Sequence, residues 1–256
     1  MASEVLVPSS PAEAVAAFGD GAGTTVVGGG TVVVPEMSYG RLAPGRVLLL
    51  SRAGLAGIAT EGTTVTIGAT TSVGALLELE DRVPALAACA RNVADYEVRG
   101  QATVGGNLCG YGDLQGCLLA LDATARSAGA DGERTEPLEA FLANRGSRLL
   151  LDVSFELPDA SAFAVLEYPH THEFTVLAVT GVRTAAGETR LAATGVAGPG
   201  ARLRSAEALA SDPDAAGAAA ASDVTFADDA LASAWYREQT LPVLVRRVLN
   251  QLEESA

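Results

Sequence analysis

Residues Val98 to Leu108 read VRGQATVGGNL, and the middle of this stretch, Ala102-Thr103-Val104-Gly105-Gly106-Asn107, decides the reading of the chain. Two adjacent glycines let a backbone come close to a ligand, and Thr103 and Asn107 set hydrogen-bonding side chains on either side of them. A second stretch follows the same logic. Thr24 to Val27 reads as a buried strand, and Val27 runs directly into Gly28-Gly29-Gly30-Thr31. The N–H groups of those glycines, with the Thr31 hydroxyl, suit an anion such as a pyrophosphate. Neither stretch fits G-x-G-x-x-G, so a Rossmann fingerprint is not supported. Taken singly, each is more simply a tight turn. Two such stretches, each closing on Thr or Asn, make one convergent phosphate site the better reading.

The charge of the chain sharpens that expectation. There are 17 basic and 31 acidic residues, a formal net charge of −14, and all the basic residues are Arg. Without lysine there is no Schiff-base chemistry and no phosphate-loop lysine, so backbone amides must neutralise the anion. An acidic chain does not suit nucleic acid or an anionic membrane surface, and we expect neither as a partner. No apolar run is long enough for a membrane span, and Met1-Ala2-Ser3-Glu4 does not read as a signal peptide. Cys89, Cys109 and Cys117 include no CxxC and cannot all pair, which fits a reducing cytoplasm and excludes a protein-only four-cysteine cluster. Hydrolytic chemistry finds no support: G-x-S-x-G and HExxH are absent. His170 and His172 lie two apart without an evident third ligand, so a solvated turn is the simpler reading and no metal is expected.

Working outward, Ser10-Pro11-Ala12-Glu13 reads as a capped helix start, with Glu13 completing a capping box on Ser10. Val47 to Leu50 and Val65 to Ile67 read as strands, and Ser72 to Leu79, Pro84 to Val93 and Asp113 to Ala123 as helices. The last has Leu114, Cys117, Leu118 and Leu121 on one face. Asp131-Gly132-Glu133 reads as a hairpin turn. Beyond a boundary near Arg145 to Arg148, Leu149 to Leu157, Phe163 to Tyr168, Thr175 to Thr184 and Thr189 to Ala193 predict an antiparallel meander. Asp212 to Ala221 is a surface helix or a loop. Leu241, Leu244, Val245, Val248, Leu249 and Leu252 form the buried stripe of a closing helix.

These residues, in this order, resemble the FAD-binding subunit of the molybdenum hydroxylases, the xanthine dehydrogenase and carbon monoxide dehydrogenase family. VVGGGTVVVPEM (Val26 to Met37) is similar to that family's A-G-G-T-D-L-L-P-x-M. VTIGATTS (Val65 to Ser72) is similar to I-G-A-x-T-T, VRGQATVGGNL to R-N-x-A-T-V-G-G-N, and DLQGCLLALDA (Asp113 to Ala123) to D-L-x-P-A-L-L-A-L-D-A. The resemblance continues through PLEAFL, YPHTHEFTVLAVTGV and SAWYREQTLPVLVRRVL. It implies an α+β fold: an FAD-binding domain over 1–147, with subdomains about 1–55 and 56–147, followed by an antiparallel-sheet-plus-helices domain over 148–256.

The resemblance further implies noncovalent FAD and no catalytic triad. Val27, Gly28, Gly29, Gly30, Thr31, Val32 and Val33 would hold the pyrophosphate from one side, and Ala102, Thr103, Gly105, Gly106 and Asn107 from the other. A side chain at Gly105 or Gly106 would then fill the pyrophosphate space. Asp113 would meet a ribose or ribityl hydroxyl. The flavin ring would lie near Leu151 or Val153, with Cys109 and Tyr111 in the neighbouring loop. Cys109 itself is more simply a small buried apolar residue. In the family, electrons arrive from a [2Fe-2S] subunit served by a molybdopterin-binding subunit, and leave to NAD⁺, a quinone or oxygen. The chain departs from the pattern at Val32, where a polar residue is common, at Gly100, in the short segment 108–112, and at the apolar Val165 and Leu166. Those departures leave open a stand-alone FAD-dependent oxidase or dehydrogenase of a small molecule.

Overall fold

The computed structural model describes residues 4–110, 112–168 and 175–255. In chain order the elements begin with β1 (Glu4–Leu6), α1 (Pro11–Phe18), β2 (Thr24–Val27), α2 (Val33–Ser38), β3 (Arg46–Leu49), β4 (Ile58–Glu61) and β5 (Thr64–Gly68). A 3-10 segment, Val73–Leu79, leads to α3 (Pro84–Asn92), α4 (Tyr96–Gln101), α5 (Val104–Cys109) and α6 (Leu114–Ala120). Next come β6 (Thr124–Gly129), β7 (Gly132–Pro137), α7 (Leu138–Ala143), β8 (Leu149–Glu156), β9 (Ala160–Glu167), β10 (Thr175–Arg183), β11 (Thr189–Thr194) and β12 (Ala201–Arg202). The last helices are α8 (Arg204–Glu207), α9 (Pro213–Ala220) and α10 (Ala234–Glu254).

These elements form two compact units that interleave along the chain. The first holds residues 1–75, 96–110 and 124–155, and the second holds 76–95, 111–123 and 156–256. A single cut near 147 does not describe them, because α3 and α6 pack with the second unit.

In the first unit, β1, β3 and β2 make a parallel three-stranded sheet in that order. Ala14 and Phe18 of α1 bury against Leu48, Leu50 and Leu151 in one apolar cluster. Ser10 caps α1, its hydroxyl accepting from Glu13 N–H at 3.2 Å. The Glu13 carboxylate, however, turns back to Ser9, taking its N–H and hydroxyl at 2.8 Å each, so the box closes one residue earlier than expected. The other sheet has the order β4-β5-β8-β6-β7. Here the expected meander is corrected. The strand Leu149–Glu156 pairs antiparallel with β6, Ala125 opposite Val153, and does not join the strands that follow it. Sequence neighbours usually pair, but the apolar side chains of β8 are needed in the core of the first unit, where Leu149 and Leu151 are buried.

The second unit keeps the rest of the meander, β12-β11-β10-β9, with the short β12 at the edge. The α10 stripe from Leu241 to Leu252 packs on this sheet as expected. Gly181 makes that approach possible: a Cβ there would overlap Val248 of α10. On β10, residues Val176 to Val182 are all buried, so both faces of the strand are covered. All of α6 is buried, including Cys117 at its centre and Gln115, whose Oε1 accepts from Gly200 N–H at 2.8 Å. The Asp212–Ala221 segment is a helix, capped by Asp212 and half-buried through Ala216, Gly217 and Ala220.

Candidate functional site

The two glycine stretches meet in the first unit. A Cβ on Gly28 would lie 2.5 Å from Thr103 Oγ1, and one on Gly29 would overlap the Gln101 carbonyl oxygen. Glycine is therefore required here by close backbone approach. Gly30 adds a left-handed turn at φ +77° that aims the chain into α2. The first helical bond is Val34 N–H to the Gly30 carbonyl at 3.0 Å. The amides of Thr31, Val32 and Val33 consequently have no intrahelical acceptor. Val32 stands at the N-cap with no side-chain bond and is exposed, and Pro35 has no N–H to be capped. The end of β2 thus presents donors without a side chain of its own to occupy them.

The second stretch is built differently. Residues Val104 to Cys109 are a short helix, not the open loop expected from its glycines. Thr103 caps it, its hydroxyl accepting from Gly106 N–H at 3.1 Å. Val104 N–H donates to Thr71 O at 2.9 Å, Gly105 N–H to Ala69 O at 2.8 Å, and Asn107 N–H to Thr103 O at 2.8 Å. The four amides from Val104 to Asn107 are all used by the protein itself. A Cβ on Gly105 would meet the Ala69 carbonyl oxygen at 2.9 Å, so this glycine faces its own scaffold and not a ligand space. Gly106 is exposed and has only Thr103 Oγ1, at 2.9 Å, beside its vacant Cβ direction. What this stretch can offer a ligand is the Thr103 hydroxyl proton, since that oxygen only accepts from Gly106.

The supports of this arrangement are also in the first unit. Ala69 N–H donates to the Leu151 carbonyl at 2.9 Å, which ties the second stretch to β8. Leu151 and Val153 are themselves buried, Leu151 in the core cluster. Ala102 is buried and its carbonyl accepts from Val73 N–H at 2.7 Å. Arg145 holds the far end of α5, donating from Nε to the Cys109 carbonyl at 3.1 Å and from an Nη to Leu142 O at 2.9 Å. Cys109 is exposed, against the expectation of a buried residue. Loss of solvation pushes its thiol up to about 11 despite the pull of the Arg145 charge, so it is not a ready nucleophile.

Asp113 lies in the second unit, and the structure surrounds it with two residues that sequence reasoning missed. Thr175 donates its hydroxyl to Asp113 Oδ2 at 2.7 Å, and Asn92 Nδ2 donates to Thr175 Oγ1 at 2.6 Å. Burial pushes the Asp113 carboxyl up, against the opposing effect of the Thr175 and Asn92 hydrogen bonds. The one signal for Asn92 was an amide at the end of an otherwise apolar helix pattern. Tyr111, His170 and His172 lie outside the described residues. Among the described residues no cluster of His, Cys, Asp and Glu could hold a metal ion, and no helix is long and apolar enough to cross a membrane.

Comparison with known proteins gives consistent findings. Residues 1–155 match the family described as the FAD binding domain in molybdopterin dehydrogenase. The chain is 34% identical over 146 residues to the carbon monoxide dehydrogenase medium chain of Hydrogenophaga pseudoflava, covering 54% of this chain and 51% of that protein. It is 29% identical over 161 residues to the 6-hydroxypseudooxynicotine dehydrogenase complex subunit alpha of Paenarthrobacter nicotinovorans, covering 57% and 54%. In these alignments the chain spans about half the length of the curated relatives it matches. Among solved structures, a chain of carbon monoxide dehydrogenase from Hydrogenophaga pseudoflava superposes with a TM-score of 0.91 at 27% identity, over 100% of this chain and 99% of that one.

Proposed function

The chain belongs to the family of FAD-binding domains of molybdopterin dehydrogenases, and on that premise we propose that it is the flavin subunit of a molybdenum hydroxylase. In this reading it takes electrons from a [2Fe-2S] partner, itself served by a molybdopterin-binding subunit, and delivers them to NAD⁺ or another small acceptor. The relatives support the assembly, being named as one chain of carbon monoxide dehydrogenase and one subunit of a dehydrogenase complex.

The residues present fit the cofactor. The carrying observation is the cradle of the first unit: Gly28 and Gly29 pressed against Gln101 and Thr103, beside the amides of Thr31, Val32 and Val33, which have no partner among the described residues. That is a site for an anion in a chain with no lysine, and FAD brings a pyrophosphate. Thr31 to Val33 would donate backbone hydrogen bonds to it, and Thr103 its hydroxyl. Asn107 would shape the wall, its amide being already committed, while Gly105 seats α5 on Ala69. Asp113 would accept from a ribose or ribityl hydroxyl, as the resemblance implies. Bound flavin supplies the one- and two-electron redox chemistry that a relay between a cluster and a hydride acceptor needs. The chain's part is to bind and orient it.

The test is a visible spectrum of the purified chain after FAD is added and the excess is removed. A retained flavin spectrum, with the flavin released intact on denaturation, is the expected result. Failure to retain flavin alone and in the presence of the partner subunits would overturn the reading. Reduction by NADH or by a reduced [2Fe-2S] partner separates the relay from an enzyme that turns over a small molecule unaided.

A further inference from the structure

Asn92, Thr175 and Asp113 make a directed chain of hydrogen bonds inside the second unit. Asn92 closes α3, Asp113 immediately precedes α6, and Thr175 opens β10. The direction follows from proton count. Thr175 has one hydroxyl hydrogen, which it gives to Asp113 Oδ2 at 2.7 Å, and it accepts from Asn92 Nδ2 at 2.6 Å. The same amide nitrogen lies 3.5 Å from Asp113 Oδ2. One carboxylate oxygen is thereby fixed by two donors. Charge-assisted bonds of this kind are stronger than neutral ones, so they set the plane of the carboxylate.

Two observations go beyond packing. Asn92 is 8% exposed, and its Oδ1 is buried with no hydrogen-bond partner among the described residues. Buried polar atoms are nearly always paired, so an orphan acceptor here points to a donor brought by a ligand. The Asp113 carboxyl is also held where burial disfavours its charge. Among the described residues the Cys89 thiol of α3 is a titratable neighbour of Asp113, pushed up by its own burial and then by Cys117 and Asp113.

We infer that Asn92 and Thr175 are positioning residues: they hold Asp113 in place to accept a hydrogen bond from a hydroxyl of the flavin nucleotide. The inference rests on the flavin reading above. Asn92 anchors Thr175, Thr175 orients Asp113, and the orphan Asn92 oxygen is a further acceptor for the same hydroxyl-bearing part of the ligand.

The experiment measures FAD affinity of the intact chain by flavin fluorescence for Thr175→Val, Thr175→Ala, Thr175→Ser, Asp113→Asn and the Thr175→Val/Asp113→Asn double variant. It also follows the Asp113 carboxyl by ¹³C NMR titration without FAD. Thr175→Val and Asp113→Asn should each weaken FAD binding about tenfold. Thr175→Ser should stay within about twofold of the parent, and the double variant should be no weaker than Asp113→Asn alone. The carboxyl should titrate at higher pH in Thr175→Val and return in Thr175→Ser, since the lost hydrogen bond favours the charged form. Thr175→Ala gives a second deletion if the valine variant does not fold. Full affinity in both Thr175 deletions, with Asp113→Asn weakened, overturns the positioning role and leaves the Asp113 contact standing. Additive losses in the double variant overturn it as well. Full affinity in Asp113→Asn overturns the Asp113 contact and this inference with it, while the cradle of the first unit keeps its own test.

Discussion

Gly28-Gly29-Gly30 and Gly105-Gly106 are nearly indistinguishable as text, and the fold uses them in opposite ways. In the first stretch glycine removes side chains so that the backbone can press on Gln101 and Thr103, while the amides that follow stay open. In the second, glycine lets α5 sit against Ala69 and Thr71, which take the amides of Val104 and Gly105, while those of Gly106 and Asn107 go to Thr103. One stretch is a donor and the other is its scaffold. A glycine pair therefore reports that something comes close. Whether that something is a ligand or the protein itself depends on where the neighbouring N–H groups go.

The most damaging change should be Gly29→Val. Its Cβ would overlap a backbone carbonyl that cannot move aside, so we expect about 3 kcal/mol of destabilisation and loss of FAD retention, read by thermal melting and by the desalted spectrum. A fully stable, flavin-loaded variant would break the contrast at its strongest point. Gly105→Ala comes next. Its Cβ meets the Ala69 carbonyl oxygen at 2.9 Å, and the expected cost is about 1–2 kcal/mol with little change in the FAD affinity of the folded fraction. Thr103→Ala removes the cap of α5 and the hydroxyl offered to the ligand. It should cost about 1 kcal/mol and weaken FAD, while Thr103→Ser largely restores both.

Gly106→Ala sharpens the comparison further. Alanine is worth about 1 kcal/mol over glycine inside a helix, and here that gain offsets the contact with Thr103 Oγ1. Stability should hardly move. A drop in FAD affinity in this variant would show that the exposed side of α5 borders the nucleotide; unchanged affinity would confine glycine's role to the scaffold. The smallest effect concerns the end of the same helix. Cys109 is the exposed cysteine, with its thiol at about 11, whereas Cys89 and Cys117 are buried. Its alkylation rate should be low at pH 8 and rise about tenfold per pH unit toward 11, because only the thiolate reacts. Fast labelling at neutral pH, measured by mass spectrometry, would contradict the assigned environment.

Much of the architecture could be read from local pattern. The Thr24–Val27 strand, the α10 stripe and the core position of Cys117 all follow from periodicity, because each depends on which face is apolar. The partner of β8 could not be read this way. A strand's sequence gives its faces but not its neighbours, and only Leu157-Pro158-Asp159 separate it from β9, which favours a pairing that the fold does not make. The site was legible to a similar depth. Both glycine stretches stood out, yet α5 was hidden by its two helix-disfavouring glycines. Its formation depends on the Ala69 and Thr71 carbonyls, supplied from more than thirty positions earlier in the chain. Asn92 and Thr175 are separated by 83 positions and carry no local motif.

The interleaving of the two units sets an order on synthesis. Residues 76–95 and 111–123 leave the ribosome early, but the strands and the long helix of their unit come from residues 156–256. At roughly 5–20 residues per second, those hundred residues take on the order of 5–20 s to appear. During that interval apolar α3 and α6, with Leu86, Leu114 and Leu118 among them, have no completed partner surface. The nascent chain thus carries these apolar faces uncovered until α10 emerges. For the same reason, a fragment ending near residue 155, where the family match stops, would be translated with two apolar inserts and nothing to fold them onto.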